Sequence, residues 1–522
     1  MRALAAAASV LLIVFWVLKP ATFVGLNVFD EGFLASGALE ILRGGLPMRD
    51  FFVIYGPGAY YMNAAAFALF GEDLAVLRYL HLAWMALAAL MLVGLTRRIT
   101  PHAPSWSAAL ICAVFLAFAT SFPPSPGYAA IPAAVLVMLA VAELPQARFD
   151  ASRRGLWLAS VWLGLAGLVR WDFGILGFLA VAAAWLLSRP VPAWRGLVQL
   201  ALPGLALALT LFLPFVWLGD AQRWWQEVPL FHLREFKEWR NLAFIGPHLE
   251  LLQRAGNRWE LMQVLLRWAA FLMPFVLVAA ALPVAARRLL QRRATPADLL
   301  AAGLALASLA LLNQQRVRTG LNQGFPALLL ALPLAAYLGG LLAARMRWLP
   351  ALGGGLATLL ILYAALPEFQ SLRARTVPVT LERNGGWRVY DSPAWQARAQ
   401  DYVRLVQRLR ELVPPGERLF SGVRDTSRLW VNDAMLYFLA DRRAATRWIE
   451  MEPGLTNAAV RQPGVVAELQ RHSPPWVVLW DMQASEPNRT AQSNGESQLD
   501  QFVRERYMLV EQLGEYQLWQ RR

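Results

Sequence analysis

Eleven apolar stretches run through this chain, and the arginines between them fall almost entirely in alternate gaps. A helix needs roughly 20 apolar residues to cross the hydrocarbon core of a bilayer. The stretches read as spans at about 3–18, 75–96, 106–122, 128–144, 155–169, 174–188, 196–217, 261–286, 297–313, 325–343 and 348–366. Of the 522 residues, 57% are hydrophobic and only 16% charged, which is more apolar than a soluble chain of this length. The chain is therefore expected to be a polytopic α-helical membrane protein.

The arginines orient it. Arg97, Arg98, Arg148, Arg153, Arg154, Arg189, Arg195, Arg287, Arg288, Arg292, Arg293, Arg345 and Arg347 all lie in even-numbered gaps, and Arg2 precedes the first span. Basic residues stay in the cytoplasm, so the N-terminus is expected inside. With eleven spans the C-terminus falls outside. Residues 3–18 lack a small-residue cleavage site before Lys19-Pro20 and read as an uncleaved first span. The net charge of +14 is explained by topological arginine at the inner leaflet and does not call for nucleic acid as a partner. The lone Cys112 rules out an intrachain disulfide.

A transmembrane domain is expected over 1–366, with long outward loops at 19–74 and 218–260. In the first loop, 31–42 reads as a short amphipathic helix at the interface, followed by a Gly-Gly-Leu-Pro turn. The second loop carries Trp224, Trp225, Trp239 and Trp259, and Trp at this density suits anchoring in the headgroup zone. From 367 to 522 the composition changes: charges become frequent and long apolar runs stop. Tyr402, Leu405, Val406, Leu409 and Leu412 mark an amphipathic helix. Strands are expected at 418–423 and 476–480, a helix at 465–470, and a closing hairpin from 507–511 and 516–519. Helices alternating with strands predict a small extracytoplasmic α/β domain. Neither a phosphate-binding Gly-rich loop nor metal-type Cys/His spacing is present.

Asp30 and Glu31 directly follow an apolar segment. Adjacent carboxylates at a membrane surface are costly to desolvate unless used or paired. Asp30 reads either as a general base, with Glu31 as metal ligand or tuning neighbour, or as the N-cap of the helix that follows. Next come Gly44-Gly45-Leu46-Pro47-Met48-Arg49-Asp50-Phe51, Tyr55-Gly56-Pro57-Gly58, Leu69-Phe70-Gly71 and Arg78. The run from Asp30 to Arg78 resembles the multispanning GT-C glycosyltransferases, which include bacterial relatives of protein O-mannosyltransferases and of the lipid A aminoarabinose transferase. Order and spacing carry the resemblance over about the first 80 residues.

The resemblance implies sugar transfer from a polyprenyl-phosphate donor at the outer face of a bacterial inner membrane. The acceptor would be an envelope lipid, glycan or protein. Such chemistry needs a carboxylate base for the acceptor hydroxyl and cations for the departing phosphate. Asp30 is the expected base, with Asp50 and Tyr55 as further candidates. Outward arginines break the sign pattern, so Arg316 and Arg318, then Arg49 and Arg170, are the expected phosphate ligands. The competing reading is snorkelling or a salt bridge, such as Arg170 to Asp172.

The second outward loop, Phe122-Pro123-Pro124-Ser125-Pro126-Gly127-Tyr128, lacks the second acid that many relatives carry. Asp172 is the expected substitute, or that acid is absent. No cofactor is required by the sequence, and a divalent metal, if used, would sit on Glu31. His232 and His248 read as solvated. Two other classes compete with the enzyme: a transporter or flippase of a lipid-linked sugar, and an inactive envelope-assembly protein. Transporters place ionisable groups near the midplane on repeated, broken helices. Here the groups lie at span ends and no repeat is evident.

Overall fold

A computed structural model describes residues 2–100, 104–121, 124–150, 152–188, 193–236, 246–291, 293–318, 320–343, 355–356, 359, 376–427, 431–456, 458, 460–481 and 498–522. Ten of the eleven expected spans are helices: α1 (Arg2–Thr22), α4 (Leu74–Ile99), α5 (Pro104–Ser121), α6 (Ala130–Phe149), α7 (Arg153–Val169), α8 (Trp171–Leu187), α9 (Ala193–Leu218), α10 (Arg258–Leu290), α11 (Pro296–Val317) and α12 (Leu321–Ala343). Apart from residues 355–356 and 359, the segment 348–366 lies outside the described residues, as does the expected boundary at 366/367. Six of these helices, α4, α6 and α9 to α12, are apolar enough over 18 residues or more to cross a bilayer. Shorter apolar helical stretches occupy Ala7–Thr22, Trp106–Thr120 and Trp171–Leu187.

Local chemistry sets the helix ends. The Asp73 side chain accepts from the Ala75 N–H at the start of α4, and Arg97 and Arg98 occupy its last turn, where the helix dipole favours cations. Thr295 and Asp298 form a reciprocal capping box at the start of α11. α6 is the most enclosed of these six helices, touching α4, α7, α8, α11 and α12. Glycines bring neighbours close, as membrane helices require where packing rather than hydrophobicity drives association. A Cβ on Gly164 of α7 would lie 2.6 Å from the Gly204 carbonyl oxygen of α9.

Two shorter helices, α2 (Asp30–Leu42) and α3 (Pro57–Phe70), lie between α1 and α4. α2 corrects the expectation of an amphipathic interfacial helix, because every residue from Glu31 to Glu40 is buried. It packs between α3 and a helix of the C-terminal region, so neither face remains for the interface. The N-cap is Phe29, and Asp30 is the first helical residue, which removes the capping reading of Asp30.

The C-terminal region builds α13 (Pro393–Leu412), α14 (Met435–Ala440), α15 (Gln462–His472) and α16 (Gln498–Arg506) around a five-stranded sheet. Its strands are β3 (Arg418–Val423), β4 (Arg443–Ala444), β5 (Trp476–Trp480), β6 (Tyr507–Leu513) and β7 (Tyr516–Arg521), in the order β4-β3-β5-β7-β6. β3 pairs in parallel with β4 and β5, and β7 pairs antiparallel with β5 and β6. The strands expected at 418–423 and 476–480 and the closing hairpin are all present. A separate hairpin, β1 (Thr376–Val379) with β2 (Trp387–Tyr390), was not anticipated.

This region docks on α2 and α3. Arg443 holds the Glu40 carboxylate, with Nε 2.9 Å from Oε2, and the Ser36 hydroxyl donates to the Ala434 carbonyl at 2.9 Å. Phe67 of α3 stacks on Phe438 of α14 with ring centres 5.5 Å apart. At Gly32 a Cβ would lie 2.6 Å from the Met435 nitrogen. The glycine beside the Asp-Glu pair is therefore what lets α14 abut α2.

Candidate active site

Glu31 points into the protein, fully buried, and meets Arg78 of α4. Arg78 Nε donates to Oε1 at 2.8 Å and Nη2 to Oε2 at 3.0 Å. Nη2 also reaches the Gly25 carbonyl at 2.9 Å, and the guanidinium lies over the Phe23 ring. This two-pronged pair ties α2 to the first full span. Both Glu31 oxygens face a cation that the protein itself supplies, an arrangement that does not suit a metal ligand. Among the described residues no group of three or more His, Cys, Asp or Glu side chains is arranged to hold a metal.

Asp30, one residue away, meets Tyr55 instead. Its Oδ1 accepts from the Tyr55 hydroxyl at 3.2 Å. Burial, followed by the Asp30 charge, pushes the Tyr55 hydroxyl well above the usual phenol range, so it stays protonated and donates. Tyr55 is placed by the Gly-Pro-Gly turn that follows it. Gly56 N–H donates to the Val169 carbonyl at 3.1 Å, and a Cβ on Gly56 would lie 2.0 Å from the Leu168 carbonyl oxygen. Only glycine permits this approach to the end of α7, and it delivers Tyr55 to the next residue, Arg170.

Arg170 sits between α7 and α8, with its guanidinium 5.0 Å from the Tyr55 ring centre, 4.6 Å from Phe173 and 5.9 Å from Tyr128. It donates to Asp172 through Nε at 3.1 Å and Nη2 at 2.8 Å. Burial works against its charge, but Asp172 and the Tyr128 and Tyr55 oxygens hold its pKa above the ordinary value. Asp172 Oδ2 also accepts from Gln314 Nε2 of α11 at 2.9 Å. Asp30, Tyr55, Arg170, Asp172 and Gln314 thus form one connected chain drawn from three separate parts of the sequence.

Gln314 brings the end of α11 to this cluster. Arg318 N–H closes the helix on the Gln314 carbonyl at 2.8 Å. Arg318 is half-buried, whereas Arg316 is exposed and donates to Asn313 Oδ1 through Nη2 at 3.0 Å. The loop between α5 and α6 closes over the Asp-Glu pair: a Cβ on Gly127, which has a φ of +79°, would lie 3.6 Å from the Glu31 Cα. Asn322 Nδ2 donates to Ser125 Oγ at 2.9 Å, tying that loop to the start of α12 just beyond Arg318.

Other expected residues lie elsewhere. Arg49 and Asp50 pair with each other, Nη2 to Oδ2 at 2.7 Å, on the exposed turn where Met48 has a φ of +73°. Their charged neighbours are Arg443 and Arg418 rather than Asp30. His232 is half-buried rather than solvated, against Trp171, Phe231 and Phe236. Its Nδ1 lies 2.6 Å from the Val228 carbonyl and must carry the proton, because a carbonyl only accepts. Packing among the rings pulls its pKa below the ordinary value. Trp224 packs edge-on against Phe212 of α9, while Trp225 is exposed. Trp239 and the side chains of Trp259 and His248 lie outside the described residues. Tyr128 and Gln314 were missed; the Asn-Gln-Gln before Arg316 was the only signal for Gln314.

The fold defines the class at its coarsest, a polytopic α-helical membrane protein with a small sheet-containing C-terminal region and a cluster of charged and phenolic side chains where its loops meet the bundle. Residues 55–218 match the family model described as dolichyl-phosphate-mannose-protein mannosyltransferase. The whole chain is similar in fold to ArnT from Cupriavidus metallidurans. Against the apo structure the TM-score is 0.57 at 14% identity, covering 99% of this chain and 97% of that one. Against the structure bound to undecaprenyl phosphate it is 0.58, with the same identity and coverage. No curated protein matches the chain in sequence.

Proposed function

We propose that this chain transfers a sugar from a polyprenyl-phosphate donor to a hydroxyl of an envelope lipid, glycan or protein, at the outer face of the bacterial inner membrane. One observation carries the reading: the Asp30 carboxylate and the Arg170 guanidinium meet on Tyr55, at the end of the bundle that receives the outward loops. A similar fold holds undecaprenyl phosphate in ArnT, which supports a polyprenyl phosphate as the carrier. The acceptor hydroxyl gives its proton to Asp30, and its oxygen attacks the anomeric carbon. The bond from that carbon to the phosphate oxygen breaks, and its electron pair leaves with polyprenyl phosphate. Attack opposite the leaving group inverts the anomeric centre. The developing phosphate charge falls to Arg316 and Arg318, with Arg170 held between Asp172 and the tyrosines as a fixed positive neighbour.

In proteoliposomes with undecaprenyl-phosphate-linked sugars and envelope acceptors, the wild-type chain should release undecaprenyl phosphate. Arg316→Gln with Arg318→Gln should lower turnover about 10–10²-fold at saturating donor, because stabilising a departing charge acts on the transition state. Unchanged turnover would move the phosphate to Arg170. The orientation rests on the arginine alternation, which puts the N-terminus in the cytoplasm and the C-terminal domain outside. A phosphatase that works only in the periplasm should be active when fused after Arg522. Activity of a cytoplasm-only reporter at that position would overturn both the orientation and the outward site.

A further inference from the structure

The C-terminal region does more than cover the bundle. Its segment from Ala445 to Leu455 carries two carboxylates, Glu450 and Glu452, to the outward loops, and both are buried, Glu450 at 6% exposure. The backbone on either side of Glu450 is clamped by one side chain. The fully buried Asn432 donates from Nδ2 to the Ile449 carbonyl at 3.1 Å and accepts from the Met451 N–H through Oδ1 at 2.8 Å. The same Nδ2 donates to the Ser421 carbonyl in β3 at 2.9 Å, which anchors the clamp in the sheet. On the other side, Phe52 N–H donates to the Arg447 carbonyl at 2.8 Å, and the Phe52 and Trp448 rings are 4.9 Å apart. The segment is thereby pinned three residues before Tyr55.

The Phe52–Arg447 bond and the Phe52–Trp448 contact set this segment beside the run that carries Tyr55 and Tyr60. Tyr60 is raised above the usual phenol range by burial, then by the charge of Glu450, and also by that of Asp30. Tyr55 is raised by burial and by both carboxylates as well. The two acids therefore share the same two phenols, one acid from each part of the chain. A carboxylate this deep is costly to desolvate, and the Asn432 clamp shows that its place is built rather than incidental.

We propose that the C-terminal region completes the reaction centre, with Glu450 as a second substrate-binding carboxylate that accepts a hydrogen bond from a hydroxyl of the acceptor. The proposal rests on the glycosyl-transfer reading given above. The acceptor is favoured over the donor by charge. A carboxylate repels the donor phosphate, whose remaining candidate cations, Arg316, Arg318 and Arg170, come from the helical bundle, whereas a neutral hydroxyl-bearing acceptor gains a charge-assisted hydrogen bond. Glu450 would hold that acceptor while Asp30 takes the proton from the attacking hydroxyl.

The test is steady-state kinetics of the full chain in proteoliposomes, with undecaprenyl-phosphate-linked sugar as donor and isolated envelope glycolipid as acceptor. Glu450→Gln should raise the acceptor KM about tenfold or more, the loss expected when a hydrogen bond to a charged group is removed. Donor KM and undecaprenyl-phosphate affinity should not change. Glu450→Asp should recover part of the acceptor affinity. Wild-type acceptor KM in Glu450→Gln overturns the proposal, as does an equal effect on donor and acceptor. If Glu450→Gln fails to assemble, Glu450→Asp and Glu450→Asn carry the test: both are one methylene shorter, and equal acceptor KM in the two overturns it. Absence of transfer by the wild-type chain with every donor would instead strike the glycosyl-transfer reading itself.

Discussion

Asp30→Asn is expected to lower turnover by about 10²–10⁴, the usual loss when a general base is removed. The protein should remain inserted and keep its affinity for undecaprenyl phosphate. The geometry makes this a clean substitution. Asp30 is the first residue of α2 and not its N-cap, and an amide of nearly the same shape fits its place. The Tyr55 hydroxyl, 3.2 Å from Oδ1, can donate equally well to an amide oxygen. What the amide cannot do is take a proton from the acceptor. Initial rates at saturating donor and acceptor, with donor binding measured in parallel, separate the two effects. Near-normal turnover would leave the acceptor hydroxyl without its assigned base and shift attention to Asp172 or Glu450.

Glu31→Gln should act on folding before chemistry. Glu31 and Arg78 are 0% and 1% exposed, and each holds the other through two hydrogen bonds. Removing one charge of such a pair leaves the other buried and uncompensated, at a cost of about 3–5 kcal/mol. Arg78 has little reserve, because its Nη1 is already buried with no hydrogen-bond partner among the described residues. Thermal unfolding in detergent should show a large destabilisation for Glu31→Gln, with most of it recovered when Arg78→Gln is added. A single variant as stable as wild type would mean that the pair does not fix α2. Turnover per folded molecule should fall far less than in Asp30→Asn. Loss of activity in a fully stable Glu31→Gln would restore a chemical role for Glu31, including the metal ligand that its present geometry does not suit.

The spans, the strand at 476–480 and the closing hairpin were legible because each depends on neighbours in sequence. An apolar run long enough for a bilayer must be helical there, since backbone groups find no other partner in lipid. Trp476-Val477-Val478-Leu479-Trp480, preceded by Pro474-Pro475, reads as a buried strand, and it lies at the middle of the sheet. The Leu513-Gly514 turn was readable for the same reason: Gly514 takes a φ of +55°, which favours glycine. Among the site residues, the chain alone pointed to Asp30, Tyr55, Arg170 and Asp172, although not to how they meet.

The pattern of 31–42 misled because periodicity records which residues are apolar, not how many sides will be covered. α2 is enclosed by α3 on one side and α14 on the other, and α14 comes from about 400 residues further along the chain. The same distance hid the partners of the acidic pair. Glu31 and Arg78 are 47 positions apart, Asp172 and Gln314 are 142 apart, and nothing local to any of them records the pairing. Sequence alone determined that this chain lives in a membrane, and it named the residues that are candidates for phosphate and proton chemistry. Only the tertiary structure decided that Glu31 is spent on Arg78, that Arg49 and Asp50 turn away to each other, and that Tyr55 joins Asp30 to Arg170. The physical reason is that desolvating a charge is too costly to leave uncompensated, so a buried charge takes whichever partner the packing brings within reach, and packing is a property of the whole chain.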